Sequence, residues 1–169
     1  METLTGTLEE DVFDSKSLDN ETEFKTLVRS IKLSDSFSLF FARSNEISEQ
    51  KKLAENLKNE FSDRNIKVIF IGKPIKHLLD ELRQILSDKK PFAVLIYGLD
   101  ESFPTNPNSP KNTFIKNLNA SRNSFPKVID CPLVLFVPDF AITSIMRGAN
   151  DFFSVRSGVF YFESKKDKK

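Results

Sequence analysis

The sequence predicts an α/β fold: a three-layer sandwich with a doubly wound, mainly parallel five-stranded sheet between helices. Three observations carry that prediction. Short apolar runs alternate with amphipathic segments, in the order helix, then strand and helix four times, then strand. The third run, Phe92-Ala93-Val94-Leu95-Ile96-Tyr97, is hydrophobic without interruption, which suits a strand covered on both faces. Each run is joined to the next through a helical segment, which implies right-handed crossovers.

Each element follows from its residues. Residues 1–19 are acidic and polar, and are expected to form a flexible segment ahead of a domain at 20–163; 164–169 is expected to be a basic tail. Asn20 and Glu23 have the spacing of a capping box for a first helix carrying Phe24, Leu27, Val28 and Ile31. Ser36–Ala42 is the first strand. Glu46–Phe61 is a helix with Leu53, Ala54, Leu57 and Phe61 on one face. Ile66–Ile71 is the second strand, closed by Gly72. Pro74 is expected in the first turn of the next helix, whose stripe is Ile75, Leu78, Leu79, Leu82 and Ile85. Pro91 stops it ahead of the third strand. Pro104, Pro107 and Pro110 stiffen a loop at 102–110. Asn112–Phe125 is expected to be one helix, Pro132–Val137 the fourth strand, Phe140–Met146 a short helix ending at Gly148, and Val159–Phe162 the last strand. No internal repeat at a solenoid period is present.

Composition excludes several function classes. The chain has 169 residues, enough for one domain with a real core. Its 25 basic and 24 acidic residues leave a net charge of +1, so no global field gathers nucleic acid. One Cys and one His make neither an internal disulfide nor a soft-metal cluster. No apolar run approaches the roughly 18 residues of a membrane span, and the polar start is no signal peptide. These features point to a soluble cytoplasmic protein without a cofactor, whose partner is another protein rather than a membrane or nucleic acid.

Ligands of open α/β sheets bind beyond the carboxyl ends of the strands. Here those ends carry Arg43-Ser44-Asn45, Gly72-Lys73, Gly98-Leu99-Asp100-Glu101 and Pro138-Asp139. The third resembles a Walker B element, in which an apolar strand delivers an acid to a nucleotide's magnesium. A phosphate cradle requires glycines and then Lys-Ser or Lys-Thr at a helix start. The corresponding turn, Ala42-Arg43-Ser44-Asn45-Glu46, has neither glycine nor lysine, and Glu46 repels phosphate. Arg43, Lys73 and Arg156 are the candidates for a basic rim facing Asp100 and Asp139, either as salt bridges or as an anion site. Arg43, Lys73, Asp100 and Glu101 are the residues expected to hold a nucleotide, should one bind. His77 and Cys131 are expected to be structural, with Cys131 a small buried filler. No serine elbow is present.

Three segments form an ordered set: Leu118-Asn119-Ala120-Ser121-Arg122, then Cys131-Pro132-Leu133-Val134-Leu135-Phe136-Val137-Pro138-Asp139, then Ala149-Asn150-Asp151-Phe152-Phe153-Ser154-Val155-Arg156-Ser157-Gly158-Val159-Phe160-Tyr161-Phe162. The set resembles the end of the NTPase-like domain that precedes tetratricopeptide repeats in bacterial STAND signalling proteins. The resemblance spans roughly 20–162 and is most specific at 156–160. It implies a P-loop-NTPase-like sandwich, here without a Walker A, used as a signalling or assembly module. Phe136 and Phe153 stand where tryptophan is expected in that family, and these 169 residues include no tetratricopeptide repeats, as expected of either a stand-alone version or a cut domain. Arg156 is expected to fork onto Asp151 or Asp139, and Gly158 to permit the turn before the last strand.

Together these features favour a catalytically inactive adaptor in a bacterial signalling or defence assembly. Two alternatives stay open. One is a nucleotide-binding switch with a non-standard site. The other is a receiver- or TIR-like module, although the paired acids expected after the first strand of a receiver are replaced by Arg43-Ser44-Asn45.

Overall fold

A computed structural model describes residues 20–86, 90–106 and 108–164. The segment expected to be flexible at 1–19, Pro107, and all of the basic tail except Ser164 lie outside the described residues. Five strands form one all-parallel sheet: β1 (Ser38–Arg43), β2 (Ile66–Phe70), β3 (Ala93–Tyr97), β4 (Pro132–Val137) and β5 (Gly158–Tyr161). Their order is β2-β3-β4-β1-β5. Helix α1 covers 20–33. It is followed by α2 (Ile47–Glu60), α3 (Leu78–Ile85), α4 (Asn112–Ala120), α5 (Phe125–Val128), α6 (Asp139–Gly148) and α7 (Asn150–Ser154).

Handedness distributes these helices. From β1 the chain crosses to the far edge through α2, then steps back through α3 and α4–α5, and passes over β1 to β5 through α6–α7. Opposite directions of travel with one handedness require opposite faces. The side chains obey this. Ala54 and Leu57 of α2 pack with Phe40, Leu95, Val134 and Phe136, joined by Leu27 and Ile31 of α1. Leu78 of α3, Leu118 of α4, Ile145 of α6 and Phe152 of α7 pack with Phe41, Ile96 and Leu135 on the other face. The sandwich is therefore three-layered and doubly wound. Among the described residues, no helix is long and apolar enough to cross a membrane.

Four local expectations are corrected. Asn20 and Glu23 do not form a capping box; Glu23 reaches β5 and Asn20 the residues just after it. Glu23 Oε2 accepts from Tyr161 N (2.8 Å), and the Asn20 amide accepts from Glu163 N (3.0 Å) and donates to Glu163 O (2.7 Å). The helix expected from Pro74 begins at Leu78, because His77 is extended and its ring accepts from Asp80 N at 3.4 Å. Ile75 N instead donates to Ser102 Oγ at 3.0 Å, tying the β2–α3 turn to the 3₁₀ turn Asp100–Ser102. The helix expected over Asn112–Phe125 ends at Ala120. A turn at 121–124 intervenes, and Pro126, which has no N–H, opens α5. Finally, α7 caps the final crossover where no helix was expected.

Candidate functional site

The carboxyl ends of β1 and β4 mark the point where the chain leaves adjacent strands toward opposite faces. Such a switch point is where an open α/β sheet offers its crevice. The loops meeting there are Ser44-Asn45-Glu46 after β1, Pro138 after β4 and the segment from Gly98 to Ser102 after β3.

The centre is a residue that the motif search passes over. Gln50, in the first turn of α2, is fully buried. Its Nε2 donates to Ser44 O (2.9 Å) and Asp100 Oδ1 (3.2 Å), and its Oε1 accepts from Gly98 N (3.1 Å). One amide thus bridges the loops after β1 and β3. Its signal lay in the sequence: Gln50 precedes Leu53, Ala54 and Leu57 by three, four and seven residues, so it is a polar residue on the apolar face. A buried polar group has to be satisfied, and here it is.

Asp100 sits on the 3₁₀ turn. Burial pushes its carboxyl above the usual range, and the Gln50 hydrogen bond partly offsets that rise. Glu101 beside it is exposed. Ser44 is buried, and its N–H donates to Val137 O at 2.9 Å, extending the β1–β4 ladder.

The other flank is closed by Arg43. Its Nε lies 2.9 Å from Asp139 Oδ1, and its Nη1 donates to Phe162 O at 3.1 Å. Asn45 Oδ1 accepts from Asp139 N at 2.8 Å, satisfying a donor at the start of α6. The two left-handed glycines, Gly72 (φ 65°) and Gly98 (φ 79°), follow β2 and β3 rather than β1. These residues do not fit a phosphate cradle. Around Ser44, a cleft of about 260 Å³ is lined by Glu21, Glu49 and Glu163 and by no basic residue, a field that repels phosphate. A larger cleft of about 560 Å³ lies between the β3–α4 loop and α6, with Arg147 its one charged lining residue.

The expected rim divides. Arg43 and Asp139 meet, and Asp100 meets Gln50. Lys73 is exposed on the turn after β2, the outermost strand, three strand spacings from β1, or roughly 14 Å. Arg156 precedes β5, so it lies at the amino end of the sheet, where the neighbouring Ser157 N donates to Leu39 O (2.6 Å). It does not fork onto Asp151 or Asp139. Its guanidinium stacks 4.0 Å over the Phe153 ring, and Nη1 donates to Phe153 O at 3.0 Å, closing the end of α7. Asp151 pairs instead with Arg122 at 3.5 Å, while Asn119 Oδ1 accepts from Phe152 N at 2.9 Å. The motif residues Asn119, Arg122 and Asp151 are thus a clasp between α4 and α7. Gly158 has no left-handed backbone; a Cβ there would come within 3.2 Å of the Phe160 ring, so close approach is its constraint.

Cys131 is buried, and burial pushes its thiol up to about 11, which suits an unreactive filler. Among the described residues, no group of three or more His, Cys, Asp or Glu side chains is placed to hold a metal. No protein-family model matches the chain, and a search of curated proteins returns no match.

Proposed function

We propose that this chain is a catalytically inactive NTPase-like domain that works as a protein-interaction or adaptor module in a bacterial signalling or defence assembly. The reading rests on the fold, on the resemblance of residues 118–162 and on one observation above all. At the switch point the chain's own Gln50 amide links Ser44, Gly98 and Asp100, and Arg43 is engaged by Asp139 on the other side. A nucleotide-binding switch requires Arg43, Lys73 and Asp100 to converge, and Lys73 lies at the far edge of the sheet. A receiver-like module calls for paired acids after the first strand, where Arg43-Ser44-Asn45 stand, and Asp100 accepts from the Gln50 amide.

Thermal unfolding with ATP, ADP and GTP, each with magnesium, tests this. A ligand at about 100 times its Kd adds roughly 2.7 kcal/mol, a midpoint shift of roughly 5–11 °C for this size. The expected shift at millimolar nucleotide is nil. A shift of that size, or ATP turnover abolished by Asp100→Ala, overturns the reading.

A further inference from the structure

The two edges of the sheet are treated differently. The β5 edge is closed by α1, whose Glu23 and Asn20 side chains satisfy Tyr161 N, Glu163 N and Glu163 O. Among the described residues, the β2 edge has no such cover. Ile71 N donates to Tyr97 O (3.0 Å) and Phe92 N donates to Asn65 O (2.8 Å), so odd-numbered residues of this stretch face β3. Ile66, Val68 and Phe70 therefore turn their N–H and C=O groups outward. No described residue hydrogen-bonds to those outward groups.

The surroundings of this edge have a distinct chemistry. Phe70 is 55% exposed, yet its ring is held in place. It lies 4.9 Å from the Tyr97 ring and over two glycines, where a Cβ on Gly72 or Gly98 would come within 2.5 Å of it. Residues 66–73 contain Lys67 and Lys73 and no acid. Both lysines are exposed, and neither is in an ion pair among the described residues. Lysine on an edge strand disfavours pairing with a like-charged strand. Two β2 edges brought together would set these lysines against each other, which argues against a second copy as the occupant.

We propose that the β2 edge is a docking site for an extended acidic segment of a partner protein, added as a sixth strand. Its backbone would pair with Ile66, Val68 and Phe70, its carboxylates would face Lys67 and Lys73, and an apolar side chain would cover Phe70. This inference rests on the adaptor reading and names the partner's chemistry.

The test uses the full chain and two synthetic eight-residue peptides, glutamate alternating with valine and lysine alternating with valine. Fluorescence anisotropy measures affinity, and hydrogen exchange follows the Val68 and Phe70 amides. The glutamate peptide is expected to bind, to slow exchange at those two amides, and to exceed the lysine peptide in affinity by about tenfold or more. Val68→Pro removes an outward N–H that the sheet does not use, and is expected to abolish binding while the protein stays folded. Should that variant fail to fold, Lys73→Glu, outside the strand, is expected to weaken binding by about tenfold. No binding of the glutamate peptide at millimolar concentration, equal binding of both peptides, or protection elsewhere than Val68 and Phe70 overturns the proposal. None of these outcomes involves nucleotide, so a failure here leaves the adaptor reading to its own test.

Discussion

Gln50 shows how much can depend on one side chain. Its amide holds a buried N–H and a buried carbonyl that would otherwise have no partner. Gln50→Ala leaves Gly98 N and Ser44 O unsatisfied and opens a void, and is expected to cost about 2–4 kcal/mol in denaturant unfolding. A cost below about 0.5 kcal/mol would mean that water replaces the amide without loss. Asp100 gives the pH signature. Its folded carboxyl titrates above its unfolded one, chiefly through burial. The folded state therefore holds that proton more tightly, and the site destabilises the fold as pH rises through the carboxylate range. Asp100→Asn keeps an acceptor for Gln50 Nε2 and removes the charge. Its melting midpoint is expected to exceed that of the parent at pH 7. The difference should shrink toward zero below the ordinary carboxylate range, and a pH-independent difference would refute the assignment.

At the scale of elements, α1 matters through its polar residues as well as its apolar stripe. Leu27 and Ile31 anchor it, but Asn20 and Glu23 make it a cover for an edge strand. The double variant Asn20→Ala and Glu23→Ala is expected to cost about 1–2 kcal/mol, since the groups it frees are exposed to water. Exchange of the Tyr161 and Glu163 amides should accelerate, while the Phe160 amide, on the inner side of β5, should not. Uniform acceleration along β5 would instead mean that α1 holds the whole strand in place. The α4–α7 clasp follows the same pattern: Asn119 caps one helix from another, and the exposed Arg122–Asp151 pair adds little beyond it.

At the scale of the molecule, two apolar clusters share one sheet. Leu27 is fully buried on the α1–α2 face and Leu118 is 1% exposed on the other. Because every central strand contributes to both faces, neither cluster can melt alone. Leu27→Ala and Leu118→Ala are each expected to cost about 2–5 kcal/mol within a single cooperative transition. Two separated transitions in either variant would show that the layers unfold independently. Among the described residues, the same sheet has one edge covered by α1 and one, β2, with its outward groups unpaired.

Much of this was legible in the residues. Continuous apolar runs such as Pro132–Val137 specify strands buried on both faces, and stripes such as Leu53, Ala54 and Leu57 specify helices, because burial of one helix face imposes a period of 3.6. The glycine-free turn Ala42-Arg43-Ser44-Asn45-Glu46 already argued against a phosphate cradle. Strand order is not local. It placed Lys73 far from Arg43 and sent Arg156 to the amino end of the sheet, away from Asp139. Polar partners are not local either. Asn20 and Glu23 have capping-box spacing but bond to residues 163 and 161, and Gln50 is seen to bridge two loops only when β1 and β3 are in place. Hydrophobic burial is written in patterns along the chain, whereas a hydrogen bond between distant segments depends on positions that the whole fold must first bring together.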